Sequence, residues 1–257
     1  MPIEDEGFGG LRVLVTGGSR GLGEATARRF AAAGATVLTA SRTAPPEDLP
    51  ATFVPADLRS AEGAAKLARR VVDIAGGVDV LVNNAGATSG PMPTLQRSDA
   101  SWLADLEMNL LSAVRLDRLL VPGMIERGSG VVVHVSSIAS HLPPPALASY
   151  AASKAALNAY SRELATAVGR QGVRVVCVLP GFVATPGAIE QHQQMADSQS
   201  VTLDEVRQQL ADRLNVPMGR PGDPEDVAEM ITFLASGRAK WLTGAQFRVD
   251  GGIIPTI

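Results

Sequence analysis

The sequence predicts an α/β fold, one domain over residues 1–257 built on a doubly wound parallel sheet of about seven strands with helices on both faces. Three observations carry this expectation. Short β-branched runs alternate with longer Ala- and Leu-rich stretches, which is the βαβα order of such folds. The short runs are apolar throughout rather than alternating, as strands covered on both faces are. A glycine-rich turn, "TGGSRGLG" from Thr16 to Gly23, joins the first run to the first helical stretch.

The elements follow in order. "LRVLVTGG" is the first strand, and "GEATARRFAAAG" a helix closed by Gly34. "ATVLTASR" and "ATFVPADL" are the second and third strands; the "TAPPEDLPAT" between them is too short and Pro-rich for a crossover helix. "SAEGAAKLARRVVDIAGG" is a helix capped by Ser60. "VDVLVNNAG" and "GVVVHVSS" are strands separated by one long helix, "ASWLADLEMNLLSAVRLDRLLVPGMIERG". A helix from about Pro145 to Arg170 precedes the strand "VRVVCVLPG". A polar-rich excursion, Pro186 to Met218, carries a capping-box pattern at Thr202 and Glu205 and an apolar face of Leu203, Val206, Leu210 and Leu214. "DPEDVAEMITFLAS" is a helix with Asp223 as cap and Pro224 at its first position, and "AQFRVDGG" is the last strand.

Composition bounds the function. With 257 residues, 46% apolar and 19% charged, the chain can bury a full core. A net charge of −3 gives no electrostatic case for nucleic acid or an anionic membrane surface. No apolar run is long enough to span a bilayer, and the acidic opening "MPIEDEGFGG" does not read as a signal peptide, so a cytoplasmic location is expected. The single cysteine, Cys177, excludes an internal disulfide and reads as an inert strand residue. His134, His141 and His192 lack metal-ligand spacing, so no metal is expected. His134 reads as structural, His192 as solvent-facing, and His141 as either the rim of a pocket or a solvated loop. Trp102 and Trp241 read as packing anchors.

The glycine turn permits close backbone approach, and the helix it opens offers an N-terminus to a phosphate. Its spacing, with three residues between the first glycines, departs from the usual dinucleotide fingerprint. The end of the second strand selects the nucleotide: Ser41 stands where a ribose-binding acid would sit, and Arg42 follows. With no carboxylate to repel a ribose phosphate, Arg42 and Arg20 can pair with one, which favours NADP(H), with NAD(H) the weaker alternative.

In "YAASK", Tyr150 and Lys154 stand four residues apart, on one face of a helix. A nearby ammonium favours the phenolate, so the pairing predicts a lowered Tyr150 pKa. Ser137 ends the strand "GVVVHVSS", where side chains line the ligand crevice, while Ser136 points elsewhere by strand alternation. Asn109 is a polar residue in the middle of the long helix.

"TGGSRGLG", "NNAG", Asn109, Ser137 and "YAASK", in this order, resemble the short-chain dehydrogenases/reductases across nearly the whole chain. The resemblance implies a Rossmann-like fold with Asn109, Ser137, Tyr150 and Lys154 as catalytic residues. Tyr150 would be the acid or base, Ser137 would bind the substrate oxygen, Lys154 would bind the nicotinamide ribose and supply charge, and Asn109 would hold a water. It implies cofactor contacts from Gly17, Ser19, Arg20, Gly21, Leu22 and Gly23, from Ser41 and Arg42, from the adenine-contacting Asp57 and Leu58, and from Asn84, Ala85 and Gly86. Tyr150 and Lys154 belong to that set too, as do Pro180, Gly181, Val183 and Thr185 of "PGFVAT". It places a substrate lid at about 186–218 and implies a homotetramer or, less strongly, a dimer.

The activity implied is reversible reduction of a ketone or other carbonyl with NADP(H). Dehydrogenation of a cyclic alcohol or dihydrodiol is the alternative, and a non-catalytic NADP(H)-binding sensor the weakest reading. The expected partner is a small carbonyl or alcohol substrate.

Overall fold

The computed structural model describes residues 7–255; the acidic opening lies outside the described residues, apart from its last four. All seven expected strands are present: β1 (Arg12–Thr16), β2 (Thr36–Ser41), β3 (Thr52–Pro55), β4 (Val80–Asn83), β5 (Gly130–Val135), β6 (Val173–Pro180) and β7 (Gln246–Val249). They form one parallel sheet in the order β3-β2-β1-β4-β5-β6-β7. Val13 of β1 pairs with Val37 of β2 on one side and Val80 of β4 on the other. The strand order therefore reverses between β1 and β4, the switch point outside which such sheets bind ligands.

The uniformly apolar strands are buried because helices cover both faces. α1 (Gly21–Ala32) and α8 (Pro224–Ala235) pack one face, where Phe30, Ile231 and Leu234 meet Val15, Val82 and Val133. α2 (Ala61–Ala75), α4 (Ser112–Arg127) and α5 (Ala148–Val168) cover the other, where Leu67, Leu116 and Met124 meet Leu14, Leu81 and Val132. Ser60 caps α2 by accepting from the Gly63 amide at 3.0 Å. At α8 the Asp223 amide donates to Asp226 at 3.0 Å, and Pro224 opens the first turn. As expected, β2 and β3 are joined without a helix.

Several expectations are corrected. The single long helix is two, α3 (Asp99–Leu106) and α4, joined by a π turn over Glu107–Leu111 that contains Asn109. α5 starts at Ala148 rather than near Pro145, because Ala146 adopts a left-handed φ of 65° that no helix accommodates. The excursion holds two helices, α6 (Pro186–Gln199) and α7 (Leu203–Arg213). Thr185 caps α6 through the Ala188 amide at 3.3 Å, with Pro186 at the first position. The Thr202–Glu205 capping box opens α7 as expected, but only Val206 and Ala211 of that helix are buried, and Leu214 is exposed. His192, expected to face solvent, is buried on α6 against Phe182, with ring centroids 5.5 Å apart, because α6 turns that face inward. Trp241 is no packing anchor among the described residues: it is 95% exposed, beyond the end of α8, whereas Trp102 is half-buried.

His134 is a structural histidine, its Nε2 2.9 Å from Asp117 in the interior. Cys177 is buried, and burial pushes its thiol up to about 12. Among the described residues, no helix is long and apolar enough to cross a membrane.

Candidate active site

The site is built where β1 and β4 part. Buried Thr16, the last residue of β1, accepts from the amides of Asn84 and Ala85, both at 3.0 Å. The Asn84 side chain donates to Thr16 O at 2.8 Å, so it lines the cleft while holding the two strand ends together. The chain then turns through Gly17 into α1. A Cβ on Gly23 would lie 2.2 Å from Gly17 O, so only glycine lets the first turn of α1 pack against the strand end. Arg20 at the N-cap makes no side-chain capping bond, so the first amides of α1 remain available to an anion.

This turn borders a cleft of about 770 Å³, lined along its length by Gly17, Ser19, Arg20, Gly21, Leu22 and Gly23. One end carries Ser41, Arg42, Asp57 and Leu58 together with Thr43 and Arg59, neither of which the sequence reading singled out. Ser41 Oγ donates to Thr43 O at 2.5 Å, and Ser19 lies 3.4 Å from the Thr43 hydroxyl. Arg59 Nε donates to Asp57 Oδ1 at 2.9 Å. That bond, more than the charge of Arg42, holds the Asp57 carboxyl down at about 2. Arg20, Arg42 and Arg59 thus line the cleft beside Asp57, whose carboxylate is already paired with Arg59.

The other end runs past Asn84, Ala85 and Gly86 into an adjoining cavity of about 370 Å³. This cavity gathers Ser137, Tyr150, Lys154, Pro180, Gly181 and Val183, with Thr185 shared between the two spaces. The structure therefore brings every expected cofactor-side residue to one continuous groove.

Tyr150 lies in the first turn of α5 and shares the cavity with Ser137, which caps the turn after β5 by accepting from Ala139 N at 3.1 Å. Lys154, one turn on, is buried; its Nζ donates to Val135 O at 2.8 Å and lies 5.9 Å from the Tyr150 ring centroid. Ser136 also borders this cavity, but its Oγ is spent donating to Lys154 O at 3.2 Å.

The electrostatics differ from the expectation. Burial pulls the Lys154 ammonium down to about 8, with Cys177 the smaller, opposing influence. The Tyr150 phenol is raised, not lowered: burial comes first, the Ser137 hydroxyl opposes it, and the Asp105 carboxylate adds to it. The spacing of "YAASK" reported the helical face correctly but not the dielectric around it.

Asn109 is placed by the π turn. Its Nδ2 donates to Ala87 O at 2.7 Å and Asp105 O at 2.9 Å, and its Oδ1 accepts from Ala87 N at 3.1 Å. A Cβ on Gly86 would lie 3.0 Å from Asn109 Oδ1 and 3.3 Å from Lys154 Nζ, so asparagine, lysine and the loop after β4 converge there. The side chain clamps that loop. His141 sits outside this group, on the surface, with Nε2 2.6 Å from Gln246 Oε1.

Sequence reasoning missed Asp105 and Ser149. Asp105 stands four residues before Asn109, and Ser149 immediately precedes Tyr150; helical spacing was the signal for the first.

A nucleotide-sized groove closing on a buried tyrosine, lysine and serine defines a class, the α/β oxidoreductases that work with a nicotinamide nucleotide. Comparison narrows it. A family model described as enoyl-(acyl carrier protein) reductase matches residues 17–254. The 3-oxoacyl-(acyl-carrier-protein) reductase FabG of Vibrio cholerae is 32% identical over 251 residues, covering 95% of this chain and 97% of that protein. Nodulation protein G of a Rhizobium species is 33% identical over 253 residues, covering 95% and 97%. The solved structure of L-sorbose reductase from Gluconobacter frateurii, complexed with NADPH and L-sorbose, superimposes with a TM-score of 0.93 at 32% identity, covering 98% of this chain and 100% of that one. A variant actinorhodin polyketide ketoreductase with NADPH gives a TM-score of 0.86 at 32% identity, covering 95% and 97%. The chain belongs to the short-chain dehydrogenase/reductase family.

Proposed function

We propose that this protein is an NADP(H)-dependent carbonyl reductase that converts a ketone to a secondary alcohol, with Tyr150 as the proton donor. The observation that carries this reading is the groove itself. Arg20, Arg42 and Arg59 line one part, and Tyr150 and Ser137 close the other beside Lys154. Two observations fit the cofactor to this chain: the close approach of Gly23 to Gly17 O, which a side chain would fill, and the uncapped N-terminus of α1. The similar proteins support the choice, since L-sorbose reductase and the polyketide ketoreductase were solved with NADPH.

In this reading the arginines hold the ribose phosphate, and the first turn of α1 holds the pyrophosphate. The bound nicotinamide supplies the hydride. Ser137 Oγ orients the substrate oxygen and stabilises its developing charge, while Tyr150 delivers the proton. A phenol raised above its ordinary value stays protonated at neutral pH, which suits an acid more than a base. Lys154 holds the ribose and balances the phenolate left after transfer. Asn109 positions the loop after β4.

α6 and α7 form the lid. Ala211 and Val216 of this region pack with Ile253 against Ile138 and Phe182, giving the substrate side an apolar wall next to Ser137. We extend the proposal to a cytoplasmic location and to a homotetramer or dimer; the exposed Leu119 of α4 and Leu103 of α3 support the assembly, the mass in solution tests it, and a monomer refutes it.

The test offers purified protein NADPH and NADH separately against ketones and ketoesters, following nicotinamide absorbance. NADPH-selective turnover that Tyr150→Phe removes, with NADPH binding retained, is expected. Equal turnover with NADH overturns the cofactor assignment, and an active Tyr150→Phe variant overturns the chemistry.

A further inference from the structure

The strongest unassigned cluster lies behind Tyr150. Asp105 on α3 is only 2% exposed and borders the large cleft. Its Oδ2 accepts from Ser149 Oγ at 2.5 Å, and its Oδ1 accepts from Ser89 N and Ser89 Oγ, both at 2.8 Å. Its backbone oxygen accepts from Asn109. One residue thus touches the loop after β4, the π turn, and the residue immediately before Tyr150.

Arg97 stands behind it. Its side chain is buried, with Nη1 3.9 Å from Asp105 Oδ2 and with no hydrogen-bond partner for Nη1 or Nε among the described residues. Its Nη2 donates to Gly90 O at 2.7 Å and Ala146 O at 2.9 Å. Met92 N also donates to Ala146 O, at 2.9 Å. Ala146 is the left-handed residue just before α5. A non-glycine residue holds that conformation only where its surroundings over-determine it, and here two donors from the loop after β4 do so. Buried guanidinium nitrogens are usually matched; here, among the described residues, Nε and Nη1 are not, and Nη1 faces the Asp105 carboxylate.

We propose that Asp105, backed by Arg97, is a positioning residue for Tyr150: it ties the start of α5 to the loop after β4 and fixes a negative charge against the residue just before the tyrosine. This rests on Tyr150 being the acid–base group. A fixed negative charge disfavours a second one nearby, so the phenol keeps its proton to higher pH and the site is biased toward reducing carbonyls. That is the direction in which Asp105 acts on Tyr150. The other groups around Tyr150 do not supply this bias. Lys154 lies on its own helix and carries the opposite charge, Ser137 after β5 favours the phenolate, Cys177 on β6 faces Lys154, and Glu107 of the π turn pairs with Arg115 at 2.6 Å.

The experiment measures the pH profile of alcohol oxidation with NADP, where the rate climbs as Tyr150 loses its proton. Wild type, Tyr150→Phe, Asp105→Asn and Arg97→Gln are compared on the alcohol of the best ketone substrate. Asp105→Asn keeps the size and the acceptor for Ser149 but removes the charge, and its rising limb moves to lower pH by about half a unit or more. Arg97→Gln removes the countercharge and moves the limb the other way. A purely structural role would lower the rate in both variants with the limb unmoved, and that result overturns the inference. If Asp105→Asn fails to fold, the Arg97→Gln limb decides alone: higher pH supports the inference, and no shift or a lower one refutes it. Persistent turnover in Tyr150→Phe would instead refute the assignment of Tyr150, a distinct outcome.

Discussion

Replacing Lys154 with methionine should abolish turnover and make the protein more stable. Burial pulls the Lys154 ammonium from 10.5 to about 8, so the unfolded chain binds this proton more tightly than the folded one. Below pH 8 the folded state therefore bears a cost of about 3 kcal/mol, a gap of roughly 2.5 pH units at about 1.4 kcal/mol each. Because the folded value is the depressed one, stability rises with pH across the window from about 8 to 10.5. Methionine removes the charge in a side chain of similar length, and forfeits the Nζ bond to Val135 O, worth about 1 kcal/mol. The net gain at pH 7 is about 2 kcal/mol. Urea unfolding at pH 7 and pH 9 reads both parts: wild type gains about 1 kcal/mol between them, and Lys154→Met gains none from this source. The scan stops at pH 9 because the Cys177 thiol, raised from 9.0 to about 12, contributes stability that is lost at higher pH. A variant less stable than wild type at pH 7, beside a wild type insensitive to pH, would refute the reasoning.

Other outcomes follow from the same geometry. Arg42→Glu should cut kcat/KM with NADPH tenfold or more while sparing NADH, since a charge-assisted contact is worth about 1.5–3 kcal/mol; the ratio of the two constants measures it. Gly23→Ala forces a Cβ to within 2.2 Å of Gly17 O, so the turn must shift, and stability falls by about 1–3 kcal/mol together with NADPH affinity, read by thermal unfolding and fluorescence titration. Asp117→Ala strips the buried partner of Asn83, at 2.8 Å, and of His134, at 2.9 Å; a loss of about 3 kcal/mol on urea unfolding is expected, and unchanged stability would show that water replaces the carboxylate.

The fold was legible because the strands carry their burial in their composition. "VLVN" and "VVVHV" can sit only in a sheet covered on both faces, and capping residues such as Ser60 and Thr202 announced their helices. The residues of the groove were legible because the strand ends and the helical spacing of Tyr150 and Lys154 fix them locally. What escaped depends on three-dimensional surroundings. The π turn at Asn109 has no local signal, since it is set by the bonds Asn109 makes to a loop 22 residues earlier. The N-cap and first-position proline of α6, Thr185 and Pro186, were a readable signal hidden inside a family-like loop motif. The sign of the Tyr150 shift depended on burial and on Asp105, and a sequence displays neither.

The π turn has a further consequence. One extra residue in a helix rotates everything after it by about 100° relative to what precedes it. α3 can therefore aim Asp105 at the groove while α4 aims Leu116, Leu120 and Met124 at the sheet, although one rod carries both. Deleting a single residue between Glu107 and Leu111 would restore an ideal α-helix and force a choice: the phase that suits the core or the phase that suits the chemistry. Burial is the larger force, so such a deletion would leave a folded protein with its active site turned aside.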